Sequence, residues 1–151
     1  MISLVASILT AALTALFGVV VFAAGQWVQR FLIEPIQDQR KTIGEIAFNL
    51  TYLANMANVA LVSEHQLPVN YVMPPEQASA LLRRLAGQLR ASLNTIPWYG
   101  LFARLGWLPS RASIIQASTG MIGWSNSLYQ GDTIAPRKAV AEALQLDGMP
   151  L

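Results

Sequence analysis

With 151 residues, 54% of them apolar and only 12% charged, the chain has room for one membrane span and one small domain, and too little charge for an ordinary water-exposed surface. The net charge of +2 comes from dispersed Arg and just two Lys (Lys41 and Lys138), which argues against a nucleic-acid partner, since that needs a clustered basic face. The absence of Cys excludes disulfides, thiolate nucleophiles and Cys-ligated metals.

The first charge is Arg30, and the run before it is mostly Leu, Val, Ile, Ala and Phe. A bilayer core needs about 20 apolar helical residues, so residues 1–32 read as a transmembrane anchor. A cleaved signal would carry a positive n-region and a shorter apolar core, and the run fits neither, so an uncleaved anchor is expected. As one helix, Ile2 to Trp27 would be about 39 Å long, which calls for tilt or protrusion. Trp27 and Arg30 suit the headgroup level. Arg30, Arg40 and Lys41 follow the run and no basic residue precedes it. This asymmetry predicts a single pass, with the N-terminus outside and the C-terminal domain in the cytoplasm. Ser3, Ser7, Ala11, Ala15 and Gly18 fall at spacings of four and three, a small-residue stripe suited to helix association, although Ala-rich spans produce such stripes by chance as well.

Residues 33–151 read as one helical domain. Glu34-Pro35 is expected to break the chain, with a second helix from about Pro35 to Val62. Ile36, Ile43, Leu50 and Ala57 form one seam position and Gln39, Ile46, Leu53 and Ala60 the other. Ile36, Ile43, Ile46, Leu50 and Leu53 therefore define an oligomer or bundle seam. Ile43 to Val62 is long enough for a second span, but Glu45 and three Asn argue against it, an acid costing about 2.5–3.5 kcal/mol at a span's centre. Pro74-Pro75-Glu76 opens a third helix to about Asn94, with Ala78, Leu82, Leu85, Leu89 and Leu93 as its apolar stripe.

Pro97 to Leu108 packs four aromatics into twelve residues with Arg104 as the only charge. Trp98, Tyr99, Phe102 and Trp107, like Trp27 and Arg30, are candidates for a membrane interface, where an apolar ring and a polar tip are both accommodated. The competing and preferred reading makes the segment part of the domain core, because apolar residues surround it on every side. Ser110 then caps a helix to about Tyr129, with Ile114, Ile115, Ser118, Met121, Ile122, Ser125 and Leu128 near one side. Gly120 and Gly123 allow close helix contact. A last short helix follows Pro136 to about Leu146.

Catalytic signals are weak. His65 is the only histidine, which removes multi-His metal sites and His-based triads. Glu34 and Asp38 read as salt-bridging groups near Arg30 and Arg40, and Glu45 as a partner for Lys41. No nucleophile elbow or glycine-rich phosphate loop is present, so no enzyme activity and no cofactor are expected.

The expected fold is all-α, one N-terminal transmembrane helix followed by a bundle of about four to five helices. The expected function is a non-enzymatic, membrane-anchored scaffold or accessory subunit. It would contact membrane lipid, self-associate as a homo-oligomer and dock a protein partner. The alternative is a small homo-oligomeric channel or pore-forming effector, with Ser3, Ser7, Thr10 and Thr14 lining the path and Glu34, Asp38 or Glu45 at its mouth. A lipid-acting enzyme ranks last for want of a catalytic set.

Overall fold

The apolar run forms α1 (Ile2–Val28), 27 residues without a charge. The structure, a computed structural model, describes residues 2–53, 73–128 and 133–146, apart from the side chains of residues 2–4. None of the apolar window of α1 is buried against the rest of the molecule. Among the described residues it is the one helix long and apolar enough to cross a membrane.

The expected break at Glu34-Pro35 does not occur. Gln29–Ile33 forms a π-helical turn, in which the Glu34 backbone N–H donates to the Gln29 carbonyl five residues back. Pro35 has no N–H to offer the carbonyl four residues earlier, and its ring crowds that position. A wider turn just upstream relieves both problems without ending the helix. The chain continues directly into α2 (Glu34–Tyr52), so Val5–Tyr52 is a single helical rod of 48 residues. The expected domain boundary at residue 33 thus falls inside a continuous helix. α2 closes at Tyr52, short of the expected Val62; residues 54–62, including Ala57 and Ala60, lie outside the described residues.

Among the described residues four more helices make up the all-α fold: α3 (Pro75–Thr95), α4 (Tyr99–Arg104), α5 (Arg111–Ser127) and α6 (Ile134–Ala143). Their directions follow from which ends meet. The last turns of α3 (Gln88, Ala91, Ser92, Thr95) share a cleft with Arg30 to Glu45 on the rod, so α3 runs back toward α1. Arg83, early in α3, donates to Ser125 and Asn126 late in α5, so α5 runs away again. Ala143 to Gln145 then return beside Gly106 to Ser113. The result is an up-down-up-down bundle of α2, α3, α5 and α6, with α4 at the end nearest α1.

The seam on α2 serves this bundle. Ile46, Leu50 and Leu53 are each 1% exposed, and Ile36 and Ile43 pack against the same core. Ala78, Leu82, Leu85, Leu89 and Leu93 of α3 are buried as their spacing predicts. α5 differs. Ile115 and Ile122 are 41% and 44% exposed, while Ala117 and Trp124 are fully buried. Apolar residues surround α5, so hydrophobic pattern alone does not select its inner face. Close approach does: the Ser118 hydroxyl donates to the Ala86 carbonyl across α3, and Gly120 faces α6.

A Cβ at Gly120 would lie 2.9 Å from Cγ2 of the buried, stiff Val140, whereas at Gly123 it would find only Pro136 Cβ at 3.9 Å. Gly120→Ala should therefore destabilise the bundle by about 1–2 kcal/mol, overpacking outweighing the gain in helix propensity of about 1 kcal/mol. Gly123→Ala should be neutral or stabilising. Urea melts of the two variants provide the comparison.

Candidate functional site at the α1 end of the bundle

The sequence from Ile96 to Ser110 turns the chain from α3 into α5, and its local signals set the geometry. Ile96 leaves α3 in an extended conformation before Pro97. Trp98 takes the left-handed conformation at φ 51°, ψ 32°, and α4 begins at Tyr99. The left-handed region is sterically costly for a bulky residue, about 1–2 kcal/mol. Gly106, at φ 75°, supplies the second left-handed position, where glycine carries no such cost. It closes α4 with the Trp107 N–H donating to the Phe102 carbonyl. Ser110 then caps α5 by accepting from the Ser113 N–H at 3.0 Å.

Two contacts fix this segment to the rod. The Gln39 side-chain amide donates to the Tyr99 hydroxyl at 3.0 Å, and that hydroxyl donates to the Pro109 carbonyl at 2.8 Å. Arg40 Nη2 donates to the Trp107 carbonyl at 3.2 Å. The Arg111 guanidinium lies 5.5 Å from the centre of the Tyr99 ring. Gln39 and Tyr99 are each 1% exposed, and Gln39 Oε1 is buried with no hydrogen-bond partner among the described residues.

The segment is two-sided, with part of it in the core and part of it exposed. Tyr99 and Leu108 are core, and Phe102 is half-buried and stacked on Trp107 at 5.8 Å. Trp98, Leu101, Leu105 and Trp107 are 64%, 54%, 57% and 57% exposed. Of the expected interface set, Tyr99 and Phe102 thus face the bundle, while Trp98 and Trp107 face out. Trp27 is exposed as well, paired with Phe31 at 5.2 Å on the rod, and Arg30 is exposed beside it. Leu101 and Leu105 were not apparent as surface residues. Their signal was the i, i+3, i+7 spacing of 98, 101 and 105 against 99 and 102.

Charge near this end is mixed on the rod and one-signed beyond it. Arg30, Glu34, Asp38, Lys41 and Glu45 line the α2–α3 cleft. Lys41 pairs with Asp38 at 3.3 Å and not, as expected, with Glu45, and the pair is solvent-exposed. From Gln77 to Gly131 the chain has five Arg and no acid. His65 lies outside the described residues, and no group of potential metal ligands occurs among those described. On the small-residue stripe, Ser7, Ala11, Ala15 and Gly18 are exposed; the Ser3 side chain lies outside the described set.

Burial pushes the Tyr99 phenol above its ordinary value of 10.0, partly offset by the Gln39 hydrogen bond and the Arg111 charge. A raised folded-state value means the folded protein holds the phenolic proton more tightly than the unfolded chain does. The stability this contributes is present below pH 10 and is lost as the pH rises through the folded-state value. Tyr99→Phe removes the bridging hydroxyl and leaves the buried Gln39 amide and the Pro109 carbonyl without it. The expected loss is about 1–3 kcal/mol in thermal or urea melts at neutral pH, and the alkaline weakening due to Tyr99 should vanish in the same variant.

In class, the molecule is an all-α bundle built onto the continuation of one long apolar helix. No protein-family model, no curated protein and no solved structure matches the chain.

Proposed function

We propose that this chain is a non-enzymatic membrane anchor and scaffold that holds a helical bundle at the cytoplasmic face of a membrane, self-associates and docks a protein partner there. The carrying observation is the uninterrupted 48-residue helix whose first part is apolar and wholly unburied and whose last part is a core element of the bundle. The apolar part, the 27 residues of α1, is unburied in the bundle and long enough to cross a bilayer core of about 30 Å with tilt. Arg30, Arg40 and Lys41 just beyond it support a cytoplasmic bundle.

The heptad seam is taken up by the chain's own core, so self-association is assigned to the exposed small-residue stripe of α1. The hydroxyls of Thr10 and Thr14 donate to the carbonyls of Ala6 and Thr10 on their own helix, which gives no support to a polar pore lining. The test is purification from native membranes in mild detergent, reading particle mass and copurifying proteins together. A multiple of the chain mass with a stoichiometric partner is expected. A lone monomer would overturn the scaffold reading, and a homo-oligomer that conducts ions, with conductance lost in Ser7→Leu or Thr14→Leu, would replace it with the channel.

A further inference from the structure

We infer that the α4 segment is a second membrane contact: Trp98, Leu101, Leu105 and Trp107 enter the leaflet on the bundle's side of the span, with a preference for anionic lipid. The inference rests on the anchor reading, because it requires a bilayer at the α1 end of the bundle.

Position comes first. Thr95 and Arg30 line one cleft, and Arg30 lies three residues, about 4.5 Å of helix rise, beyond Trp27. The chain therefore leaves α3 at the end of the bundle nearest the apolar helix, and Pro97 to Leu108 follows there. Gln39 and Arg40, nine and ten residues beyond Arg30, tie the segment to the same rod and hold it at the α1 end of the bundle.

Composition comes second. Four large apolar side chains, each more than half exposed, gather within ten residues, among them two Trp. Indole is suited to the headgroup layer, where its ring and its N–H are both accommodated. Trp98 reaches its exposed position through a left-handed backbone that a glycine would adopt more easily, so the fold keeps strain at the residue it presents.

Charge comes third. Arg104 lies within the segment and Arg111 follows it, with no acid between Gln77 and Gly131, which suits an anionic leaflet. Of the possible occupants, lipid is favoured because the face lies at the end of the bundle next to the apolar helix.

The chain contains no Cys, so single reporters can be placed without background. L13C, L101C, L105C and Q116C, each carrying a nitroxide on the full-length chain in vesicles of zwitterionic and anionic lipid, are compared for collision with oxygen and with a water-soluble nickel complex. L101C and L105C are expected to resemble L13C, with a severalfold higher ratio of oxygen to nickel collisions than Q116C on α5. Replacing the anionic lipid with zwitterionic lipid should raise nickel collisions at L101C and L105C and leave L13C unchanged. Aqueous behaviour at L101C and L105C with L13C still in lipid would overturn this inference and leave the anchor standing. An aqueous L13C would overturn the anchor itself. Shielding of L101C from both reagents would mean that another copy covers the face, which also overturns it, and indifference to anionic lipid would overturn the stated preference.

Discussion

Trp124→Ala should destabilise the bundle by about 3–5 kcal/mol, a large share of the roughly 5–15 kcal/mol that holds a small domain together. Trp124 is fully buried on α5. Its ring lies 5.8 Å from the guanidinium of Arg137, a residue only 4% exposed whose Nη2 donates to the Leu50 carbonyl near the end of α2. Burial pushes the Arg137 pKa down from its ordinary value, so the arrangement depends on the ring and the carbonyl lying close around the guanidinium. Removing the indole opens a cavity where α2, α5 and α6 meet and takes away the ring face that Arg137 covers. Near-UV circular dichroism on heating in detergent should show the loss, with Trp124→Phe clearly milder. α1 contributes nothing to this core, so the variant should remain membrane-integrated under alkaline extraction even where the bundle has melted. Loss of integration together with the bundle would contradict the independence of α1.

The second large effect concerns α1 itself. A lysine at Leu13, near the middle of the apolar run, is expected to shift the insertion equilibrium by about a hundredfold against the membrane-inserted state. The same charge at Gly25 should be far milder, because a lysine near the end of a span can extend its ammonium to the interface. The fraction of chain resisting alkaline carbonate extraction gives the readout. Equal integration of Leu13→Lys and the parent chain would remove the basis of the anchor reading, whereas a depth-dependent loss would support it.

Much of the fold was legible from residue order. Pro75 and Glu76 in the first turn of α3, its leucine stripe and the Ser110 cap are local signals, and each predicts its element because helix ends and faces are set within a few residues. The continuity across Pro35 was not legible. Proline is compatible with either a break or a π turn, and the choice depends on whether the helices on both sides are held in line. The inner face of α5 was hidden for a related reason: where every side is apolar, small residues such as Gly120 and Ser118 decide the packing through neighbours distant in sequence. The α4 site was half visible. Its aromatic density was plain, but the division into a buried Tyr99 and an exposed Trp98 follows from the left-handed turn and the Gln39 bond, which no periodicity encodes.

The unbroken helix has a mechanical consequence. α2 carries 19 residues beyond the π turn, about 28 Å, and it moves with α1 as a stiff lever. A span accommodates a thinner bilayer by tilting, and a tilt change of about 20° would carry the Tyr52 end sideways by about 10 Å. In the proposed anchor, bilayer thickness would thereby set the lateral position of the far end of the bundle.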